Sequence, residues 1–231
     1  MRRDLGRRWG DDMPFELWDD ISINQNGDAI NPRTIDFVKM KSAGAVGVCI
    51  RKSVGYYRDI SFPMNWEGAG LAGLKRTIYT VPYPQYNFDR QITAMTTGSD
   101  GSLFTGPLDR PMWLDVERNP YMTKQSAISI ILLYLVRLSA HFGSKPDIYT
   151  AAWAWEPWYS LAKGWIEDWR LVVAAYGSIP RIPIGWAFTK LGTPIPRHTS
   201  YSGWQFSADG NGLGRQFGCH SAAVDLSWQR I

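Results

Sequence analysis

Short apolar runs recur along the chain, and stretches with helical spacing separate the early ones. Phe15 to Ile23 reads as the first strand. Ile35 to Ser42 follows as a helix, with Ile35, Val38 and Lys39 at helical spacing and Gly44 near its end. Val46 to Arg51 reads as a buried strand, and Asn65 to Ala72 as a weakly patterned helix. Arg76 to Val81 is a strand stopped by Pro82 and Pro84, and the polar, Gly-rich stretch Thr96 to Gly106 is a loop. Pro111 to Glu117 alternates cleanly. Met112, Leu114 and Val116 point one way; Trp113, Asp115 and Glu117 point the other. Thr123 to Phe142 has the longest helical pattern and closes at Gly143. Asp147 to Thr150 is a strand and Trp153 to Lys163 a helix. Leu171 to Tyr176, Gly203 to Ser207 and Ala223 to Leu226 complete the strands.

These elements predict a parallel α/β architecture of about eight strands, with helices between the early strands and loops between the late ones. That pattern fits a (β/α) barrel with an incomplete helix ring. Active sites in such barrels lie at the C-terminal ends of the strands, so polar residues there carry the interest. Residues 15–231 read as a single barrel domain behind a basic, flexible tail over residues 1–14.

Composition narrows the classes. Of 231 residues, 45% are hydrophobic, too many for a disordered chain, and the 22 Gly and 14 Pro lack a collagen period. The longest near-apolar run, Ala127 to Val136, is well short of the roughly 20 residues that span a bilayer, so no transmembrane segment is expected. Most of the net charge of +4 sits in residues 1–8, where Arg2, Arg3, Arg7 and Arg8 oppose only Asp4. Residues 9–231 hold 21 basic and 20 acidic residues, without the basic stripe of a nucleic-acid binder. The tail has no apolar segment of the secretory kind, which predicts synthesis without export by that route. Cys49 and Cys219 make no disulfide framework, and Cys49 reads as a buried strand thiol. The 12 Trp, 11 Tyr and 9 Phe fill a core, and they also suit a sugar cleft, because a flat ring packs on the apolar face of a pyranose.

The chemistry concentrates on acids. Asp115 and Glu117 share one face of a strand, with Cα atoms about 6.6 Å apart. Two carboxylates in a partly desolvated place do not both ionise easily, and one then serves as a proton donor. A strand that simply ends in solvent would show the same pair. Asp20 ends the first strand, and Asp225 lies in the last. Closing the barrel makes those two strands neighbours and gathers Asp20, Asp115, Glu117 and Asp225 around one cleft. Gly68 to Gly73 matches GxGxxG but follows no strand. The chain has no HExxH, CxxC or GxSxG, and His141, His198 and His220 are scattered. No metal or cofactor is called for.

The order of motifs resembles family 25 of the glycoside hydrolases, the Ch-type lysozymes or N-acetylmuramidases. The resemblance runs through Asp20-Ile21-Ser22, through Cys49-Ile50-Arg51-Lys52-Ser53-Val54-Gly55, and through Tyr57, Asp59, Phe62 and Asn65. It continues in Ala72 to Val81, in Leu114-Asp115-Val116-Glu117 and in Ile148-Tyr149-Thr150. Val172 to Tyr176, Trp204-Gln205-Phe206-Ser207 and Asp225-Leu226-Ser227 complete it. It implies a flattened, irregular barrel that cleaves the β-1,4 bond between N-acetylmuramic acid and N-acetylglucosamine in peptidoglycan. Glu117 is then the general acid, Asp115 its neighbour, and Asp20 and Asp225 complete the acidic cleft. Tyr79, Tyr149, Tyr176, Trp204 and Gln205 line the sugar sites. Asp115 or the substrate's acetamide acts as nucleophile, and the residues leave both routes open. Two positions depart from the family: its Glu is Val54 here, and its His is Thr80. The implied protein is a phage endolysin made in the host cytoplasm and acting on the cell wall. A holin would then release it, or virion proteins carry it. A weakened glycan-binding or structural particle domain on the same barrel is the alternative.

Overall fold

The structure is a computed structural model that describes residues 15–117, 121–151, 154, 161–162, 164–174, 176, 201–208 and 212–230. Nine strands form one sheet: β1 (Phe15–Ile21), β2 (Gly47–Val54), β3 (Tyr57–Arg58), β4 (Lys75–Val81), β5 (Trp113–Asp115), β6 (Asp147–Ala151), β7 (Leu171–Ala174), β8 (Tyr201–Ser207) and β9 (Asp225–Arg230). Their order is β1-β9-β8-β7-β6-β5-β4-β2-β3, and β1 also pairs with β2. That extra pairing closes eight strands into a barrel and leaves β3 as a short outer strand. The helices α1 (Phe37–Ser42), α2 (Phe62–Leu71), α3 (Phe88–Thr96) and α4 (Lys124–Phe142) fall between the early strands. The fold is therefore the expected irregular β/α barrel with a partial ring of helices.

Strand alternation sorts the apolar residues into two layers. Ile21, Val48, Ile50, Ile78, Leu114, Ile148 and Val173 face outward and pack with Met40, Ala69, Met95, Ile128, Ile131 and Leu135 of the helices. Cys49, Trp113, Tyr149, Ala151, Val172 and Ala174 face the barrel interior. α4 begins at Thr123, whose hydroxyl accepts from the Ser126 amide, and ends at Gly143 with φ 69°. It is long and apolar enough, by length and composition, to cross a membrane. In the fold its residues Ala127, Ile128, Ile131, Tyr134, Leu135 and Leu138 are buried.

Three expectations change. The last strand runs antiparallel to both β8 and β1, not parallel, and begins where the expected strand was to end. Its interior-facing Ser227 and Gln229 are polar and buried, so the hydrophobic pattern fades just where the strand continues. α3 is an additional helix. Phe88, Ile92 and Met95 have helical spacing, and the Asn87 side chain caps the Arg90 amide, but the β-branched Ile92, Thr93 and Thr96 weaken the signal. The strand around Asp115 is shorter than Pro111 to Glu117, spanning Trp113–Asp115. The GxGxxG stretch lies at the end of α2, where a Cβ on Gly68 would meet the Phe37 ring at 2.8 Å. Close helix packing accounts for that glycine. Cys49 and Cys219 are both free and buried. Of the expected helix over Trp153 to Lys163, residues 154, 161 and 162 are helical and the others lie outside the described residues, as do the tail and His198.

Candidate active site

A pocket of about 140 Å³ opens at the C-terminal end of the parallel strands. Asp20, Asp115, Glu117 and Asp225 all line it. Asp20 comes from the end of β1 and faces Asp225, the first residue of antiparallel β9, in direct register. The reversed direction of β9 thus delivers Asp225 to the same end of the barrel as a parallel strand's last residue. Asp115 is the last residue of β5. Beyond it the Val116 amide donates to the Tyr149 carbonyl at 2.8 Å, and the Thr150 hydroxyl donates to the Val116 carbonyl at 2.8 Å. These bonds extend the line of β5 past its ladder and hold Glu117 on the face of Asp115.

The walls are aromatic and amide. Tyr79, Trp113, Tyr149, Tyr176 and Gln205 complete the described lining. The Trp113 and Tyr149 rings, on adjacent strands, lie 6.0 Å apart and within 8° of parallel. The buried Tyr149 hydroxyl donates to the Gln205 Oε1, and the Gln205 Nε2 donates to Asp20 Oδ2 at 3.2 Å. The Ser227 hydroxyl reaches the same oxygen at 3.3 Å. One chain of polar contacts thereby ties β6, β8, β9 and β1 together at the pocket.

Electrostatics follow from this crowding. Burial, then the charge of Asp225 opposite, pushes the Asp20 carboxyl well above the ordinary carboxylate range. Asp20 therefore holds a proton at pH values where an exposed aspartate has lost it. Burial also raises the Tyr79 phenol, against the pull of the nearby Arg51 cation, and raises Tyr176 to about 12. Arg51 is itself tied to Asp59 at 2.9 Å, and that carboxylate also accepts from the Ile23 amide at 3.0 Å, fixing the turn after β1.

Tyr149→Phe removes the first donor in the chain to Asp20. The expected result is a loss of stability of about 1 kcal/mol and a several-fold fall in turnover, read from thermal melts and initial rates.

Eight of the nine candidate residues named from the sequence line the pocket; Trp204 does not. Trp204 pairs with Val173 and Trp228, both on the outward face, and packs against Phe206 at 5.8 Å. Trp113 takes the place of a lining tryptophan. Its signal was its parity with Asp115 and Glu117. Val54 and Thr80, where the resemblance expects Glu and His, also lie off the lining. Thr80 is buried and accepts from the Ser53 hydroxyl at 3.2 Å.

The sequence model of "Glycosyl hydrolases family 25" matches residues 20–215. The chain belongs to glycosyl hydrolase family 25. The family match includes Asp20, Asp115 and Glu117 and stops before Asp225. Solved structures share the fold. A family GH25 lysozyme from Aspergillus fumigatus is 23% identical over 94% of each chain, with a TM-score of 0.67. A family 25 glycosyl hydrolase from Bacillus anthracis is 15% identical, over 93% of this chain and 88% of that one, with a TM-score of 0.70. The catalytic domain of endolysin ply40 from Listeria monocytogenes bacteriophage P40 is 18% identical over 94% of each chain, with a TM-score of 0.63. No curated protein matches. As a member of family 25 the protein is a glycoside hydrolase.

Proposed function

We propose that the protein hydrolyses the β-1,4 bond between N-acetylmuramic acid and N-acetylglucosamine in peptidoglycan and acts as a bacterial cell-wall lysin. The observation that carries this reading is the gathering of four carboxyl groups from β1, β9 and the end of β5 around one aromatic-walled pocket. In this reading Glu117 gives its proton to the glycosidic oxygen as the C1–O bond breaks. Asp115, beside it, steadies the positive charge that grows at C1. Water then supplies the new hydroxyl at C1, and its proton restores Glu117. The intermediate forms through Asp115 or through the substrate's own acetamide, and both routes give the same products. Asp20 and Asp225 complete the acidic cleft, and burial with the opposing Asp225 charge favours the protonated form of Asp20. Tyr79, Tyr149, Tyr176 and Gln205 contact the sugars, with Trp113 as the floor and Trp204 as outer support.

The Listeria phage endolysin domain shares this fold over nearly the full length of both chains, which supports an endolysin made in a host cytoplasm and active on the wall after release. Incubation with purified sacculi tests the reading. Soluble muropeptides are expected to accumulate with time. Retention on sacculi with no soluble product would instead favour a glycan-binding barrel without turnover. The substitutions at Val54 and Thr80 motivate that second reading.

A further inference from the structure

A second aromatic surface stands at the same end of the barrel, outside the pocket. β2 ends at Val54, in register with Val81 at the end of β4. Tyr56 lies in the turn after β2 and Tyr57 opens β3, and Tyr83 and Tyr86 leave the segment between β4 and α3. The Tyr56 and Tyr57 rings are 4.4 Å apart, Tyr56 and Tyr86 5.8 Å, and Tyr83 and Tyr86 5.4 Å. Arg90, in the first turn of α3, lays its guanidinium 4.3 Å from the Tyr56 ring centre.

The surface is held in place and open to solvent. Tyr57 is 66% and Tyr86 47% exposed. The Tyr56 and Tyr57 hydroxyls share a hydrogen bond of 3.1 Å. The buried Gln91 side chain accepts from the Tyr83 amide at 2.8 Å and donates to its carbonyl at 2.9 Å. Gly55 has φ 56°, and a Cβ there would meet the Tyr83 ring at 2.8 Å. The turn therefore requires glycine for this ring to pack against it. Tyr83 follows the pocket residue Tyr79 by four positions, a reach of at most about 13 Å.

We propose that Tyr57, Tyr83, Tyr86 and Arg90, braced by Tyr56, form a glycan-binding platform that holds the polymeric strand beyond the pocket. The proposal rests on the hydrolytic reading above. Flat, exposed phenols suit the apolar faces of pyranose rings, and their hydroxyls reach the sugar edges. A cation fixed among them suits a polymer that carries carboxylates.

The test compares wild type with a Tyr57→Ala/Tyr86→Ala double variant and with Arg90→Gln, on two substrates. One is purified peptidoglycan; the other is a short soluble muropeptide tetrasaccharide. The expected result for the double variant is a KM for the polymer raised about tenfold. Its kcat, and its kcat/KM on the short substrate, stay unchanged, and a Tyr57→Trp/Tyr86→Trp double variant keeps the wild-type polymer KM. Equal losses on both substrates, or no change on either, overturn the proposal. Retention on sacculi is measured in parallel. If wild type cleaves neither substrate, the hydrolytic reading fails, and retention alone decides the platform. Retention lost in the double variant then supports it, and unchanged retention overturns it.

Discussion

Glu117→Gln is expected to slow glycan hydrolysis by about 10²- to 10⁴-fold, the usual share of general acid catalysis. The amide keeps the size and polarity of the side chain, so the pocket and its contacts survive. It has no proton to give to the glycosidic oxygen, so the leaving sugar must depart as a costly alkoxide. The backbone bonds that hold the line of β5 involve Val116, Tyr149 and Thr150 and do not depend on the Glu117 side chain. The thermal midpoint and retention on sacculi are therefore expected to match wild type while initial rates collapse. A rate within threefold of wild type would move the acid role to another carboxyl.

Asp19→Val is expected to stabilise the protein. Asp19 follows Trp18 on β1 and, by alternation, points away from the pocket into the outer apolar layer, between Leu17 and Ile21. It is fully buried, and neither carboxyl oxygen has a hydrogen-bond partner among the described residues. Its neighbours in register are Leu226 on β9 and Val48 on β2, and the nearby titratable groups are the Cys219 thiol and Asp20. Among the described residues no cation compensates, and burial raises its carboxyl well above the ordinary range. The folded state thus binds a proton that the unfolded state releases once the pH passes about 4. From there upward, stability falls as pH rises, until the folded group itself ionises. Asp20 adds a contribution of the same sign. Replacing Asp19 by an apolar side chain should gain about 1–3 kcal/mol at pH 7, or several degrees in Tm. The gain should be smaller at pH 4.5. Thermal melts at the two pH values check this. A lower Tm at both would mean that the carboxyl stabilises the fold.

The sequence made the barrel legible through its simplest periodicity. The alternation through Met112, Leu114 and Val116 separated an outer apolar face from an inner acidic one, and the structure follows that parity. α4 was legible because its pattern is long and its ends carry Thr123 and Gly143. The direction of β9 was not, because a strand's polarity comes from its connection and not from its side chains. Its interior positions are also polar. Trp204 and Trp113 show the limit for site residues. Both are buried tryptophans, and only Trp204 lies in a motif that resembles the family; strand parity puts Trp113 with Asp115, while the register with β7 and β9 turns Trp204 away from the pocket. Asp19 stood beside Asp20 in the sequence, indistinguishable by residue type. Strand parity alone sends one carboxyl to the pocket and the other into the apolar layer.

The central claim concerns a bond, and the chemistry of the new chain ends reads it directly. Purified peptidoglycan is digested to completion, reduced with borohydride, and the products are identified by mass. The account predicts that the reduced ends released by the wild-type protein are muramitol derivatives, and that Glu117→Gln releases almost none in the same time. Glucosaminitol ends, or equal release by the two proteins, would contradict it.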